Sequence, residues 1–376
     1  MKIVHIIIGL NVGGAELMLK RLVESIHADH EVAVISLTDE GVLGKSFSKI
    51  GVDFYCLGLH SIFSAPHVFL AIRKILGDLS PDVVQTWMYH SDFIGGLAAK
   101  SLGIDNIYWN VRNTYLSGRG VANYIFRKVC ALLSRFIPKK IVYVSYSARD
   151  EHGLAGYCRE KSVVIGNGFD LDLFSYKADA RPMYRDNWGL SDDDFVVCSI
   201  GRFDEAKDHI TFVKAVKEVR KRSADVVAVM VGKGIPHNEG ILREISEDKG
   251  GFILLDSRND IPFLLSACDL FCLHSITEGF PNVLGEAMSV GLPCVSTRAG
   301  DAELILGSSE YVCDIGDYSG LAEKINYIKN LPEEDRAGIG CRNKQRVEDN
   351  YSLSSVVEKY VQLYEGQIKS DEKFNT

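Results

Sequence analysis

Two basic residues in the second half of the sequence have the chemistry and spacing to bind a diphosphate. Arg202 and Lys207 come directly after Phe195–Ile200, an apolar run rich in β-branched residues. A guanidinium group binds two anionic oxygens at once and an ammonium group acts as a point charge, so together they could neutralise a pyrophosphate. The alternative is that both are surface cations paired with the neighbouring Asp204 or Glu205.

A second group of residues suits the binding of an anion and a sugar. After the apolar run Leu270–Leu273, a Gly–Phe–Pro turn leads into a helical pattern over Asn282–Val290. The first amide groups of such a helix attract anions. Glu278 lies before the helix and Glu286 inside it, and carboxylates accept hydrogen bonds from sugar hydroxyls. The alternative is an acidic pair that only interacts favourably with the helix dipole.

A glycine pair near the N-terminus is a weaker candidate for phosphate binding. Gly13 and Gly14 follow the first apolar run, Ile3–Ile8, and open a helical pattern. This spacing is not the GxGxxG fingerprint of dinucleotide-binding proteins, which disfavours a nicotinamide oxidoreductase. The alternative is a tight turn between a strand and a helix.

Short β-branched runs alternate with helical patterns along both halves of the chain, which predicts parallel sheets covered by helices on both faces. The natural architecture is two Rossmann-like domains that face each other across a cleft, with ligands outside the carboxyl ends of the strands. We therefore expect a first α/β domain over 1–168, a linker over 169–193, a second α/β domain over 194–351 and a C-terminal segment over 352–376 that begins with a helix. The predicted strands are Ile3–Ile8, Val32–Leu37, Val52–Leu57, Val83–Trp87, Ile107–Val111, Ile141–Val144, Phe195–Ile200, Val226–Val231, Phe252–Leu255, Leu270–Leu273 and Pro293–Ser296.

Composition and charge exclude several classes of protein. The 376 residues are 46% hydrophobic and 24% charged, the balance of a globular chain rather than a disordered or fibrous one. Residues 1–165 carry 18 basic and 14 acidic side chains, whereas residues 166–376 carry 24 and 36. An acidic second half disfavours nucleic acid as a partner. Nine cysteines without a CxxC pair favour a reducing compartment, and we expect a cytoplasmic protein, peripheral on the inner face of the cytoplasmic membrane.

The Arg202/Lys207 pair and the Glu278–Glu286 spacing together resemble the donor site of the retaining glycosyltransferases of family 4 (group 1), which have the GT-B fold. Further matches are Gly13–Glu16, Val164–Asp170, Val231–Gly234, Ala267–Leu270 and Gly291–Thr297. The resemblance implies transfer of a sugar from a nucleotide-diphosphate sugar, UDP favoured over GDP, to a saccharide or lipid-linked acceptor. Such a reaction would serve the synthesis of surface polysaccharide, O-antigen or glycolipid, with no metal cofactor.

The resemblance also implies that 1–168 binds the acceptor, that 194–351 binds the donor and that the helix of 352–376 crosses back to the first domain. It further implies a role for each site residue. Arg202 and Lys207 would neutralise the leaving diphosphate, and Glu278 would bind hydroxyls of the transferred sugar. Glu286 would hold the ribose, while Gly232 and Arg258 would flank the base. Gly14 would complete the phosphate cradle. The remaining donor contacts would come from the main chain of Phe280, Pro281, Asn282, Val283 and Leu284.

The acceptor side departs from the family pattern. Many members carry a His after a strand of the first domain, and here Arg112 occupies that place. An Arg cannot act as a general base near neutral pH, but it could bind an acceptor phosphate. His90 is the other candidate, with a purely structural role as its alternative. The departure leaves a non-catalytic nucleotide-sugar-binding protein as one rival, and a nucleotide-sugar epimerase of similar fold is another.

Residues 121–140 predict a basic amphipathic helix. Apolar residues lie at helical spacing from Val121 to Phe136, and the segment carries five basic side chains and no acidic one. Such a helix could rest on an anionic membrane. The alternative is a helix whose apolar face packs into the core while its lysines remain in water.

Overall fold

The computed structural model describes residues 1–11, 13–114 and 121–368 of the chain, which forms two compact units. Unit 1 contains Met1–Gly168 and the segment that begins at Ser354. Unit 2 contains Phe169–Leu353. Each unit is built around its own parallel sheet.

Unit 1 contains a seven-stranded parallel sheet in the order β3-β2-β1-β4-β5-β6-β7. The apolar runs that predicted strands form its centre, and every residue of β4 and β5 is buried because helices cover both faces. The elements are β1 (Lys2–Ile7), α1 (Gly14–Ile26), β2 (Glu31–Ser36), α2 (Gly44–Lys49), β3 (Asp53–Cys56), α3 (Ala65–Leu79), β4 (Val83–Trp87), α4 (Tyr89–Lys100), β5 (Ile107–Val111), α5 (Val121–Leu133), β6 (Lys140–Tyr143), α6 (Tyr146–Ala155) and β7 (Ser162–Val164).

Unit 2 contains a six-stranded parallel sheet in the order β10-β9-β8-β11-β12-β13. Its elements are α7 (Ala180–Trp188), β8 (Phe195–Ile200), α8 (His209–Arg220), β9 (Val226–Val231), α9 (Glu239–Glu244), β10 (Phe252–Leu255), α10 (Ile261–Ser266), β11 (Leu270–Leu273), α11 (Asn282–Val290), β12 (Cys294–Thr297), α12 (Ala302–Leu306), β13 (Val312–Cys313), α13 (Tyr318–Asn330) and α14 (Glu333–Tyr351). A last helix, α15 (Leu353–Tyr364), ends the described chain.

The sheet of unit 2 is buried on both faces. Because successive side chains of a strand point to opposite sides, each strand contributes to two apolar clusters. Along β8, Val196 and Cys198 belong to one apolar cluster and Val197 to another. The strand β11 divides in the same way, with Phe271 in the first cluster and Cys272 in the second. The prediction of two α/β parallel-sheet domains is therefore confirmed.

The segment 169–193, predicted as a linker, is part of unit 2. Phe169 and Phe174 are buried in its core, as are Ala180 and Tyr184 of α7. The main chain of Phe169 also bonds to Tyr351 at the end of α14 (2.8 Å, N to O). The polar composition of this stretch concealed its four apolar anchors.

Helix α15 packs in unit 1. Its buried face is formed by Val356, Tyr360, Leu363 and Tyr364. The Tyr108 hydroxyl donates to the main-chain oxygen of Leu363 (3.1 Å). Within the described residues, no helix combines the length and the apolarity that a membrane crossing requires.

Candidate functional site

The loop between β8 and α8 places two cations at the carboxyl edge of the sheet of unit 2. It runs from Gly201 to Asp208 and contains a 3-10 turn over Glu205–Lys207. Asp208 adopts a left-handed conformation (φ 49°) and caps α8 by accepting from the amide of Thr211 (3.3 Å). Gly232 lies so close to this loop that a Cβ there would be 2.0 Å from the carbonyl oxygen of Gly201. Gly232 is thus a packing requirement of the loop that carries the cations.

Lys207 and Glu278 form an ion pair that joins the two segments singled out from the sequence. The Lys207 Nζ lies 2.5 Å from Oε1 of Glu278, and the hydroxyl of Ser275 donates to the same oxygen (2.7 Å). Both side chains are largely shielded from water, with exposed fractions of 25% for Lys207 and 12% for Glu278. Partial burial strengthens the pair relative to an exposed one. Among the described residues, Oε2 of Glu278 has no hydrogen-bond partner, so it is available to a ligand.

The turn that carries Glu278 is supported from behind by the segment after β12. Gly300 has a positive φ of 56°, and a Cβ at this position would be 2.2 Å from the carbonyl oxygen of Glu278. The hydroxyl of Thr297 donates to the main-chain oxygen of Ser275 (2.7 Å). The position of Glu278 therefore depends on Thr297, the last residue of β12, and on Gly300 in the segment after it.

The start of α11 offers fewer amide donors than the sequence suggested. Pro281 has no N–H to donate, and the amide of Leu284 bonds to the oxygen of Pro281 (3.1 Å). The ring of Phe280 stacks on Phe169, with centroids 6.0 Å apart. Phe280, Asn282 and Val283 each carry a main-chain N–H group, and their predicted contacts with the donor stay predictions. Glu286 is on the same helix and is partly buried.

Arg202 has a carboxylate partner, as one of the two interpretations of the sequence required. Its guanidinium contacts Oδ2 of Asp204 through Nε (3.3 Å) and Nη2 (3.1 Å), and 74% of the Arg202 side chain is exposed. Hydrogen bonding from the amide of Ala206, and then from Arg202, lowers the pKa of Asp204. An exposed pair of this kind contributes little to stability, so the guanidinium remains accessible to an anion. Its binding of diphosphate stays a prediction.

Arg258 lies in a local cluster after β10. It donates to both carboxylate oxygens of Asp260, and its guanidinium lies over the ring of Tyr184 (5.8 Å from the centroid). The Tyr184 hydroxyl also donates to Asp260. These bonds, chiefly those from Arg258, lower the pKa of Asp260 to about 2. The proposed contact of Arg258 with a nucleobase stays a prediction, as does that of Gly232.

The three candidate residues of unit 1 lie in different settings. Gly14 is exposed and is the first residue of α1. His90 is exposed in the first turn of α4, with its ring 5.0 Å from that of Phe126. The residue that precedes this helix, Met88, has a φ of 72°, which is strained for a side chain other than glycine. Arg112, by contrast, is buried.

The guanidinium of Arg112 is bound within unit 1. Its Nη1 donates to the oxygen of Ile165 (3.1 Å) and to the hydroxyl of Tyr360 (3.0 Å), and Nη2 donates to the side chain of Asn167. Burial lowers the pKa of Arg112. The predicted acceptor-phosphate contact stays a prediction, but the structure gives this side chain a set of internal partners that link β5 to α15.

Residues that the sequence did not single out complete the site of unit 2. Ser275 binds Glu278, and the buried histidines His209 and His274 contact the main chain of the cation-bearing loop. The sequence did offer one signal for His274 and Ser275: both come directly after a predicted strand, where ligand-binding residues of parallel sheets lie. In the described residues, no three His, Cys, Asp or Glu side chains are arranged to hold a metal ion. The expectation that no metal takes part stays a prediction.

Two family models match the chain. "Glycosyl transferases group 1" matches residues 180–346, and "Glycosyltransferase Family 4" matches residues 12–173. The chain belongs to the group 1 glycosyltransferases, and it is an enzyme of the glycosyltransferase class. This membership favours sugar transfer over the epimerase and the non-catalytic binding protein that the sequence left open.

Curated relatives and solved structures agree with this assignment. The chain is 24% identical over 305 residues, 78% of each chain, to the UDP-Gal:alpha-D-GlcNAc-diphosphoundecaprenol alpha-1,3-galactosyltransferase of Escherichia coli. It is 24% identical to the lipopolysaccharide core biosynthesis glycosyltransferase LpsD of Rhizobium meliloti, over 97% of this chain and 98% of that one. The crystal structure of Anabaena HepE in complex with UDP superposes with a TM-score of 0.85 at 19% identity, over 97% of this chain and 100% of that one. These similarities identify the fold as GT-B.

Proposed function

We propose that the protein transfers a sugar from a UDP-sugar to a lipid-linked or saccharide acceptor, with retention of the anomeric configuration, in the assembly of a surface polysaccharide or glycolipid. The observation that carries the proposal is the Lys207–Glu278 pair beside the start of α11. The names of relatives support the substrate classes. The E. coli relative uses UDP-galactose and a lipid diphosphate, and HepE has been crystallised with UDP-glucose.

The charges at the site of unit 2 fit the demands of this reaction. Cleavage of the bond between the anomeric carbon and the diphosphate moves an electron pair onto the leaving oxygen, while positive charge develops on the sugar ring. Arg202, Lys207 and the amides at the start of α11 would stabilise the leaving group. The Oε2 of Glu278 would accept a hydrogen bond from a sugar hydroxyl. The acceptor hydroxyl then attacks the same face of the ring and passes its proton to the departing phosphate oxygen, so that UDP leaves as the second product.

A donor and acceptor assay tests this proposal. Purified protein would be incubated with a panel of UDP- and GDP-sugars and a polyprenyl-diphosphate sugar, and the product anomer assigned by NMR. We expect α-linked product from a UDP-α-sugar. We also expect that Lys207→Ala and Glu278→Ala abolish transfer while the melting temperature stays near that of the wild type, whereas Lys221→Ala, an exposed cation on unit 2, leaves transfer unchanged. Rearrangement of the donor alone, inverted product or undiminished turnover of either Ala variant would contradict the proposal.

We further propose that the outer face of α5 and the turn after it rests on an anionic membrane. The apolar residues Tyr124, Ile125, Val129, Leu132 and Phe136 are 54%, 55%, 37%, 59% and 67% exposed. At 100° per residue, the four that belong to α5 occupy one arc of the helix together with the exposed Lys128, and Phe136 follows in the turn beside the exposed Arg135. The inner face instead buries Cys130 and Ala131. An exposed apolar face bordered by cations matches a surface of acidic lipid headgroups.

Liposome sedimentation at low salt tests the membrane contact. We expect the wild-type protein to pellet with vesicles that contain acidic phospholipid and to stay in solution with neutral ones. The double variant L132E/F136E should lose most of this binding. Leu70→Glu is the matched control, because Leu70 is an equally exposed leucine (61%) on α3 of the same unit. Equal binding to both vesicle types, or unchanged binding of the double variant, would contradict the proposal.

A further inference from the structure

Two buried histidines hold the main chain of the two cation-bearing residues. The Nε2 of His209, the first residue of α8, lies 3.0 Å from the carbonyl oxygen of Arg202. The Nδ1 of His274, just after β11, contacts the carbonyl oxygen of Lys207. Both histidines are nearly inaccessible to water, at 3% and 4% exposure. Each predicted phosphate-binding cation therefore has one histidine bound to its own carbonyl group.

The two histidine rings are in direct contact. They meet edge to face with centroids 5.0 Å apart, and each also packs against a phenylalanine. Phe203 stacks on His209 at 5.8 Å, and Phe212 stacks on His274 at 5.0 Å. Because packed aromatic rings have few alternative rotamers, the two donor nitrogens are held in fixed directions.

The hydrogen-bond partners determine the tautomer of each histidine. A carbonyl oxygen only accepts, so His209 carries its proton on Nε2 and His274 carries its proton on Nδ1. The Nε2 of His274 then accepts from the hydroxyl of Ser199, at the end of β8. Burial lowers the pKa of both histidines, that of His274 to about 3, so both rings are neutral near pH 7. They contribute hydrogen bonds to the loop without adding charge to the anion site.

We propose that the His209–His274 pair is a positioning device for the diphosphate site, which fixes the main chain at Arg202 and Lys207 so that both cations meet the donor phosphates together. This inference rests on the function proposed above. Neither histidine contacts the reacting atoms; both act through the residues whose carbonyl groups they bind. A loop displaced by about 1 Å would lose discrimination between a diphosphate and a monophosphate, and it would lose rate, since a positioning error of this size can cost about 100-fold.

Amide side chains provide the matched variants. The nitrogen of Asn corresponds in reach to Nδ1 of His, and that of Gln corresponds to Nε2. His274→Asn and His209→Gln therefore keep the donor at the carbonyl group, whereas the crossed variants His274→Gln and His209→Asn are equally polar and misplace it. His152→Leu is the control for the loss of a buried histidine, because His152 also bonds to a main-chain oxygen, that of Ala148 (2.7 Å), but lies in unit 1.

The readout is the ratio of the dissociation constants for UMP and UDP, measured by calorimetry beside kcat and the melting temperature. We expect the crossed variants to reduce this ratio about tenfold and kcat about 10- to 100-fold, and the matched variants to stay within about threefold of wild type. His152→Leu should lower the melting temperature and leave the ratio unchanged.

The outcomes separate this inference from the function on which it rests. A wild-type protein that binds UDP no better than UMP contradicts the proposed donor site, and the inference with it. A wild-type preference for UDP that persists in both crossed variants, with only the melting temperature reduced, overturns the inference alone. Equal loss in matched and crossed variants also overturns it, because the position of the donor nitrogen would then be irrelevant.

Discussion

At the scale of single residues, the Lys207–Glu278 pair shows how the site exists before any ligand binds. An ammonium group placed alone at a sheet edge would repel Arg202 on the same loop and would lack a fixed direction. Glu278 holds it at 2.5 Å, and Ser275 holds Glu278. A bound diphosphate carries more negative charge than Glu278 and would compete with it for the ammonium group of Lys207. Lys207 can then turn toward the donor, and Glu278 keeps its hydrogen bond from Ser275.

The support that Gly300 gives to Glu278 leads to the first prediction. In Gly300→Ala, the new Cβ would meet the carbonyl oxygen of Glu278 at 2.2 Å, so the turn must move. We expect at least a tenfold loss of kcat in a transfer assay. Gly316→Ala is the control, because Gly316 also has a positive φ (75°) but nothing lies within 4 Å of its Cβ position. Both variants should lose about 1–2 kcal/mol from backbone strain, so equal activity in the two would refute the role of Gly300.

Buried neutral histidines predict how stability depends on pH. Burial lowers the pKa of His152 to about 4, while an unfolded chain has the ordinary value near 6.5. Between these values the unfolded state binds more protons, so the free energy of unfolding falls as the pH drops from 6.5 toward 4. His152 contributes about 1–3 kcal/mol to this fall. The free energy of unfolding of unit 1 would be measured by urea titration at pH 7 and pH 5. It should differ less between the two pH values in His152→Leu than in the wild type, and an equal difference would contradict the prediction.

At the scale of elements, the sequence predicted the strands that are marked by apolar runs and missed elements with little apolar sequence of their own. Val83–Trp87, Phe195–Ile200, Val226–Val231 and Leu270–Leu273 were predicted as strands with the bounds that the structure has, since short, largely apolar runs mark strands buried on both faces. Helix α14 was not predicted because only four of its 19 residues are buried, namely Ile339, Gly340, Asn343 and Val347, and only two of these have a large apolar side chain. Strand β13 has two residues and is set by its neighbour β12 rather than by its own composition.

The link between Arg112 and α15 supplies a prediction for an element. Arg112→Lys keeps the charge but loses the forked geometry that bonds Ile165, Asn167 and Tyr360. If the guanidinium anchors α15, amide hydrogen exchange in residues 354–364 should accelerate at least tenfold and the melting temperature should fall. Tyr360→Phe, which removes one of the same bonds, should show a smaller effect of the same kind. An increase in KM for the acceptor with unchanged exchange would instead support the acceptor-phosphate role.

At the scale of the whole molecule, sequence reasoning found residues that carry charge and missed residues that act through packing. Arg202, Lys207, Glu278 and the start of α11 were selected because charge and helix ends have chemistry that spacing reveals. His209, His274 and Gly300 act on the main chain of other residues, and such contacts exist only once β8, β11 and β12 lie side by side. Residue type alone does not reveal these contacts, because the sequence does not show which main-chain group a buried histidine binds.

A donor nucleotide should stabilise unit 2 and should need no metal ion to do so. The residues assigned to the diphosphate, the sugar and the base are all in unit 2 except Gly14. Saturating UDP should therefore slow amide exchange most in residues 201–208 and 275–284, and at 100 times its dissociation constant it should add about 2.7 kcal/mol to the stability of unit 2. Since fixed cations and amides would neutralise the diphosphate, the same protection and the rate of transfer should survive an excess of EDTA. Loss of either in EDTA, with recovery on adding Mg²⁺ or Mn²⁺, would show that a metal ion does the work assigned to Arg202 and Lys207; protection centred on unit 1 would contradict the assignment of the donor site.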